Sequence, residues 1–282
     1  MTVISEGVDE RIEIKPFLKW AGGKRWLIAN YPHMFPKTFG TYYEPFLGGG
    51  ATFFHLQPTQ SVLADLNEDL IQTYSAIKED WELVFKHLEI HHRNHSKDYY
   101  YKIRQQKTTT RHTSAARLIY LNKTCWNGLY RVNLKGEFNV PIGSKTQVIQ
   151  EDDCYAEIAQ LLKNTELLNS DFEAVINKSK KGDFLFVDPP YTVRHNYNGF
   201  VKYNEHLFAW EDQIRLKDSL KRAASRGVQF LMTNACHESV KALYADDFVQ
   251  RVANRSSVIS GTNVGRGNYE ELLIHAGYDV SF

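Results

Sequence analysis

Long apolar runs are missing from this chain of 282 residues: the longest spans about four residues, as at Phe184-Leu185-Phe186-Val187. No such segment crosses a bilayer, and the opening MTVISEGVDERIEI carries acids where a secretory leader would be apolar. A cytoplasmic protein without membrane attachment is therefore expected. Cysteine is scarce as well. Cys125, Cys154 and Cys236 are odd in number, scattered and without metal-ligand or redox spacing, which excludes a disulfide scaffold and gives no reason to expect a metal. Internal repeats and low-complexity tracts are absent, and 43% hydrophobic with 24% charged residues excludes fibrous, coiled-coil and disordered classes. The length suits one large domain, or a catalytic domain with a modest second one.

Net charge is nearly absent too, at +1, but it is unevenly spread. From Lys86 to Lys145 there are 12 Lys and Arg against 3 Asp and Glu, whereas the remainder carries 22 against 30. A basic third in an otherwise acidic protein suits a polyanion, because each cation placed at a phosphate releases counterions. On charge alone, a solvated basic surface is the competing account.

Residues 1–14 are expected to be a loose polar tail. Beyond Pro16 the order is strand (TYYEPF), glycine turn (LGGG), helix (ATFFHL) and strand (SVLADL), a βαβ start that implies a parallel sheet. Apolar residues at three-to-four spacing predict helices over 67–90 and 95–125, and LYRVNLKGEFNVPIG fits a short hairpin or loop. Alternation then resumes through the strands FLFV and VQFLMTN and two further strands in the tail. The expected fold is α/β: a doubly wound, Rossmann-like sheet formed by 15–68 and 160–282, with a mostly helical insertion over 69–159.

Three motifs carry chemistry. In Glu44-Pro45-Phe46-Leu47-Gly48-Gly49-Gly50 a strand ends in a glycine turn before a helix, and Asp65 ends the next strand. Glycines let backbone approach a ligand, and an acid there suits the two hydroxyls of a ribose; a plain tight turn is the alternative. The G-x-G-x-x-G pattern is lacking, which disfavours nicotinamide and flavin cofactors. Asp188-Pro189-Pro190-Tyr191, at the end of FLFV, is more specific. It reads as an unpaired acid after a buried strand, with two prolines that stop the ladder and an aromatic ring alongside. That set suits an exocyclic amine on a flat base: the Asp188 carboxylate and Pro189 carbonyl accept its N–H bonds while Tyr191 stacks on the ring. Phe17-Leu18-Lys19-Trp20-Ala21-Gly22-Gly23-Lys24 reads as packing plus an anion contact.

Together with ADLNEDL (64–70) and YLNKTCWNGLYRVNLKGEFNVPIG (120–143), these motifs stand in the order and spacing of a known family. The chain resembles the Dam-type N6-adenine DNA methyltransferases of the D12 class, which place the cofactor motif first and DPPY last, over nearly its whole length beyond residue 15. The resemblance implies S-adenosylmethionine as cofactor, with Trp20, Ala21, Gly22 and Lys24 at its site. Glu44, Pro45 and Phe46 would lead into a turn of Gly48, Gly49 and Gly50 near its methionine part, with Asp65 on its ribose. Asp188, Pro189, Pro190 and Tyr191 then fall where the family holds a flipped adenine. The resemblance also implies double-stranded DNA as partner, and GATC as target. Arg131 would read one guanine and Lys19 the other, Leu129 and Pro141 would meet a thymine methyl, and Trp126, Asn127 and Asn133 complete the interface.

The implied reaction is direct methyl transfer to adenine N6, without a metal or a covalent enzyme intermediate. A different DNA target, a catalytically inactive DNA-binding relative and methylation of RNA or a protein amide are the alternatives. A cognate restriction endonuclease is a possible partner, though not a stable subunit. His91, His92 and His95 are read as a polar helix face or loop rather than a metal site. Ser256, Ser257 and Ser260 are read as ordinary strand and turn, and Gly261–Gly267 as a loop that either connects strands or touches a phosphate through Arg266.

Overall fold

The structure, a computed structural model, describes residues 2–3, 12–133, 135–193, 208–256 and 268–280. Its sheet contains β3 (Tyr42–Glu44), β4 (Ser61–Asp65), β5 (Thr165–Asn169), β6 (Phe184–Val187), β7 (Gln229–Ala235), β8 (Val249–Ser256) and β9 (Asn268–Ala276), in the order β5-β4-β3-β6-β7-β9-β8. Neighbours from β5 through β7 run parallel, while β9 is antiparallel to both β7 and β8. The chain winds from β3 outward to β5, then returns to lay β6 on the other side of β3. The carboxyl ends of β3 and β6 therefore flank the crevice where such sheets hold ligands.

Apolar residues without polar alternation form β6 because both faces of the sheet are covered. Phe184 and Phe186 join one buried cluster, with Phe53 and Phe54 of α2 (Ala51–Leu56), whereas Leu185 and Val187 join the other. That second cluster takes in Val175 and Ile176 of α7 (Phe172–Lys178), Leu216 and Leu220 of α8 (Trp210–Ser225), and Val240 and Tyr244 of α9 (Glu238–Tyr244). The doubly wound, Rossmann-like α/β expectation is met.

The insertion is mostly helical as expected. It leaves the sheet through α3 (Glu68–Asn94), capped by Asn67 accepting from the Leu70 amide. Helix α3 breaks at Asp80 (φ −156°, ψ 81°), whose carboxylate accepts from the Leu83 amide and restarts it. Helices α4 (Lys97–Gln105) and α5 (Arg111–Thr124) begin at Ser96 and Thr110 caps, and α6 (Tyr155–Leu162) leads back to β5. The apolar cluster on the α2 face continues through Leu118, Ile119, Tyr120 and Leu121 of α5. Between α5 and α6 the chain bridges Cys125 to Ile142 and Val132 to Phe138, the short hairpin that the glycine and proline punctuation suggested.

The FLKWAGGK segment is irregular and is followed by a short helix, α1 (Arg25–Asn30). One feature departs from the expectations. Within the stretch expected to be loose, β1 (Thr2–Val3) pairs antiparallel with β2 (Thr38–Phe39). Among the described residues no helix is long and apolar enough to cross a membrane.

Candidate active site

At the end of β3, Glu44 is buried and accepts a 2.8 Å hydrogen bond from the Tyr42 hydroxyl. Burial pushes the Glu44 carboxyl well above the ordinary carboxylate range. The turn that follows requires glycine for two reasons. Gly48 and Gly50 have φ of +49° and +64°, and a Cβ at Gly48 would lie 2.8 Å from the Trp20 ring. Asp65 closes this turn from the end of β4: its two oxygens accept from the Gly48 amide at 3.0 Å and the Asn67 amide at 2.9 Å. Each oxygen retains a second lone pair, so the carboxylate can cap the turn and still accept a hydroxyl. Burial raises its pKa, against the pull of those amides. Phe46 stacks on Phe172 at 5.4 Å, which fixes the outer wall of the turn.

Across the crevice, Asp188 follows β6. The sequence reads it as unpaired, and the structure corrects this. Asp188 Oδ2 lies 2.8 Å from Lys24 Nζ, and Oδ1 accepts a 2.6 Å bond from the Thr233 hydroxyl of β7. The strand end thus carries an acid whose charge is compensated from a segment more than a hundred residues away, which spacing along the chain could not reveal. Burial raises the Asp188 pKa, while Lys24 and Thr233 act the other way. Lys24 is only 4% exposed and also donates to the Gly22 carbonyl at 2.7 Å. Tyr191 donates to Glu271 Oε2 at 2.6 Å, and the Lys24 ammonium sits 5.2 Å from the Tyr191 ring centre. Pro189 is buried and Pro190 is half-buried. Trp20, Lys24, Gly48, Asp65, Asp188 and Tyr191 thus come together at one end of the sheet.

Sequence reasoning missed Glu271. It is buried on β9, where it accepts from Tyr191 and pairs with Arg255 at 3.0 Å and Lys24 at 3.8 Å. An acid at the start of the apolar run ELLI was the available signal. Thr233, inside VQFLMTN, carried none.

The hairpin residues stand apart from this buried network. Trp126 is 59% exposed and Leu129 38%, and Arg131 and Pro141 are exposed beside them. Asn127 adopts φ +56°, a left-handed conformation that asparagine tolerates. Arg131 Nε donates to Asn139 Oδ1 at 2.9 Å, and the Asn133 side chain turns the hairpin by accepting from the Lys135 and Glu137 amides. Lys19 is exposed on the side of the hairpin that faces the glycine turn.

Two of the three histidines near the end of α3 need a correction. His91 stacks on Tyr120 at 4.8 Å and bonds Tyr99, and His95 bonds Tyr120, so these two half-buried rings belong to an aromatic cluster rather than a polar face, while His92 is exposed as read. Burial lowers the His91 pKa to about 4. No group of three metal-ligating side chains occurs among the described residues. Ser257, Ser260 and the 261–267 loop with Arg266 lie outside them; Ser256 ends β8.

The profile for D12 class N6 adenine-specific DNA methyltransferases matches residues 20–258. The chain belongs to that family. A type II methyltransferase, M1.LlaDCHI from Lactococcus lactis subsp. cremoris, is 34% identical over 94% of this chain and 96% of its own. The type II methyltransferase M.MjaIII of Methanocaldococcus jannaschii is 33% identical over 94% and 100%, and the DNA adenine methylase of Haemophilus influenzae 30% over 90% and 91%. This D12 methyltransferase is therefore an adenine-specific DNA methyltransferase, and DNA is its substrate.

Proposed function

We propose that this enzyme transfers the methyl group of S-adenosylmethionine to N6 of an adenine extruded from duplex DNA, with GATC as its target. The observation that carries the reading is the position of the Lys24-paired Asp188 across the β3/β6 crevice from the glycine turn closed by Asp65.

The residues fit that cofactor chemically. A glycine turn that backbone can approach, carboxylates at Asp65 and Asp188 and aromatic walls at Trp20 and Phe46 offer partners for a ribose, an amino acid and a purine. When bound, S-adenosylmethionine supplies a methyl group made electrophilic by a positively charged sulfur. The chain's own task is alignment. The lone pair of an adenine amine is delocalised into its ring. Acceptance of its N–H bonds by Asp188 and the Pro189 carbonyl stabilises the nitrogen as it becomes tetrahedral. Tyr191, held by Glu271, offers a ring face to the extruded base. No covalent enzyme intermediate is required.

Residues 15–68 and 160–282 act as the catalytic unit and 69–159 as the recognition unit. Exposed Trp126 and Asn127 fit the role of filling the space an extruded adenine leaves, and Arg131, Leu129, Pro141 and Lys19 that of reading the flanking bases of GATC. Relatives include proteins named as type II methyltransferases, so a cognate restriction endonuclease is the natural counterpart in the cell.

The test is transfer of labelled methyl from S-adenosylmethionine to matched duplexes carrying GATC or each single-base change. Label confined to adenine N6 of the GATC duplex supports the reading. Label on other duplexes alone overturns the target, and cofactor binding without any transfer overturns the activity.

A further inference from the structure

Asn122, near the end of α5, is fully buried although its amide is polar, and its three side-chain hydrogen bonds are directed at two separate chain segments. Its Oδ1 accepts from the Lys19 backbone amide at 2.8 Å; its Nδ2 donates to the Lys19 carbonyl at 2.8 Å and to the Gly128 carbonyl at 3.1 Å. Lys19 belongs to the segment before the first strand of the main sheet, and Gly128 to the hairpin that begins at Trp126. One side chain therefore pins both, in a two-point grip on Lys19 that fixes its orientation as well as its distance.

The contact between the two segments leaves no room for a side chain at Gly128. A Cβ at Gly128 would lie 2.4 Å from Lys19 Cδ and 2.9 Å from its Cβ, at a residue whose φ is already +65°. The neighbouring Trp20 stacks on Tyr130 at 5.1 Å and packs against Gly48 and Gly49. Tyr130 in turn donates to Asp69 at the start of α3. Lys19-Trp20 is thus wedged between the glycine turn and the hairpin, and Asn122 is the buried group that holds the wedge in register.

We propose that Asn122 is a positioning residue for target recognition: by gripping Lys19 and Gly128 together, it sets the spacing between the two elements that read opposite ends of the DNA site. This rests on the reading that Lys19 and the 126–131 hairpin contact bases. Asn122 itself is buried and touches neither DNA nor the reacting atoms. Its contribution is to discrimination, since a base contact that is displaced loses selectivity before it loses phosphate attraction.

The experiment compares kcat/KM of the wild-type enzyme, Asn122→Ala and Asn122→Ser on the preferred duplex and on duplexes altered at each base in turn, with cofactor affinity and Tm measured alongside. The expected result is a loss of about ten-fold in discrimination at the outer bases, with discrimination at the methylated adenine and cofactor affinity little changed. Gly128→Ala, which disturbs the same contact from the hairpin side, should reproduce that pattern and keeps the test informative if the Asn122 variants fold poorly. In a Lys19→Ala background, Asn122→Ala should bring no further loss at the base that Lys19 reads. Equal loss of turnover on every duplex, with base ratios unchanged, overturns the proposal, as does an additive effect in the double variant. If the wild-type enzyme methylates adenine in a target other than GATC, only the target assignment falls, and the same ratios are read on that target.

Discussion

Lys24 Nζ lies 2.8 Å from Asp188 Oδ2 and 3.8 Å from Glu271 Oε2, so one buried ammonium serves carboxylates that follow β6 and lie on β9. Removing an ion from such an arrangement strands the opposite charges in a poorly solvated site, at a cost of about 3 kcal/mol or more. Lys24→Met should therefore lower the Tm and abolish most turnover. Retention of wild-type kcat would show that Asp188 does not depend on this partner.

A pH prediction follows from the same pair. Burial raises the Asp188 pKa, and Lys24 with Thr233 restrains the rise. In the proposed mechanism the ionised carboxylate accepts both from Lys24 and from a substrate amine, so kcat/KM should fall as the pH drops, with an inflection raised from that of an ordinary aspartate. Thr233→Val removes one restraining hydrogen bond and should move that inflection upward. The pH profiles of the two enzymes, measured under single-turnover conditions, check this; coincident profiles would assign the inflection to another group.

Glu271→Gln keeps the size of the side chain but removes a charge shared by Tyr191, Arg255 and Lys24. Tyr191 can still donate to the amide oxygen, so its ring should remain roughly in place. The expected outcome is a fall in kcat of about 10- to 100-fold with a smaller change in DNA affinity, as for a residue that supports groups at the reacting atoms. Loss of DNA binding with normal kcat on saturating duplex would contradict that role.

How far the sequence reveals this site depends on the range of each contact. The glycine turn, Asp65 and the DPPY strand end are local patterns, and the alternation of Phe184 and Phe186 with Leu185 and Val187 follows from a strand covered on both faces. The sheet's switch point was legible because βαβ winding has few solutions. Lys24 could be singled out from its motif, but not as the partner of Asp188; Thr233 carried no signal and Glu271 only that of an acid heading an apolar run, because both reach the site through strand pairing across the sheet. His91 and His95 misled for the opposite reason. A histidine-rich helix end looks solvated until Tyr99 and Tyr120 are folded against it.

Those histidines give a stability prediction. Burial holds the His91 pKa at about 4, below its ordinary 6.5, with His87 and Arg117 adding to the effect, and burial lowers His95 as well. Between these values the unfolded chain takes up protons that the folded chain does not, so stability is fully present near neutral pH and declines as the pH falls toward 4. Denaturant titrations at pH 7 and pH 5 should show the decline, and His91→Phe, which keeps a ring on Tyr120, should make it shallower. An unchanged pH dependence in that variant would move the effect to other carboxylates and histidines.

Arg131 tests the proposed recognition surface. Its Nε is held by Asn139, which leaves the two terminal nitrogens of an exposed guanidinium in the planar geometry that matches the O6 and N7 of guanine. Arg131→Ala should cost about 1–3 kcal/mol of discrimination at one base and weaken binding to all duplexes much less. Arg131→Lys keeps the charge but not the fork, so it should recover phosphate-type affinity without recovering the base preference. Comparing both variants on single-base-changed duplexes at two salt concentrations separates these contributions. A charge contact to the backbone would respond to salt and spare the base ratios, whereas a base contact would change the ratio at one position whatever the salt.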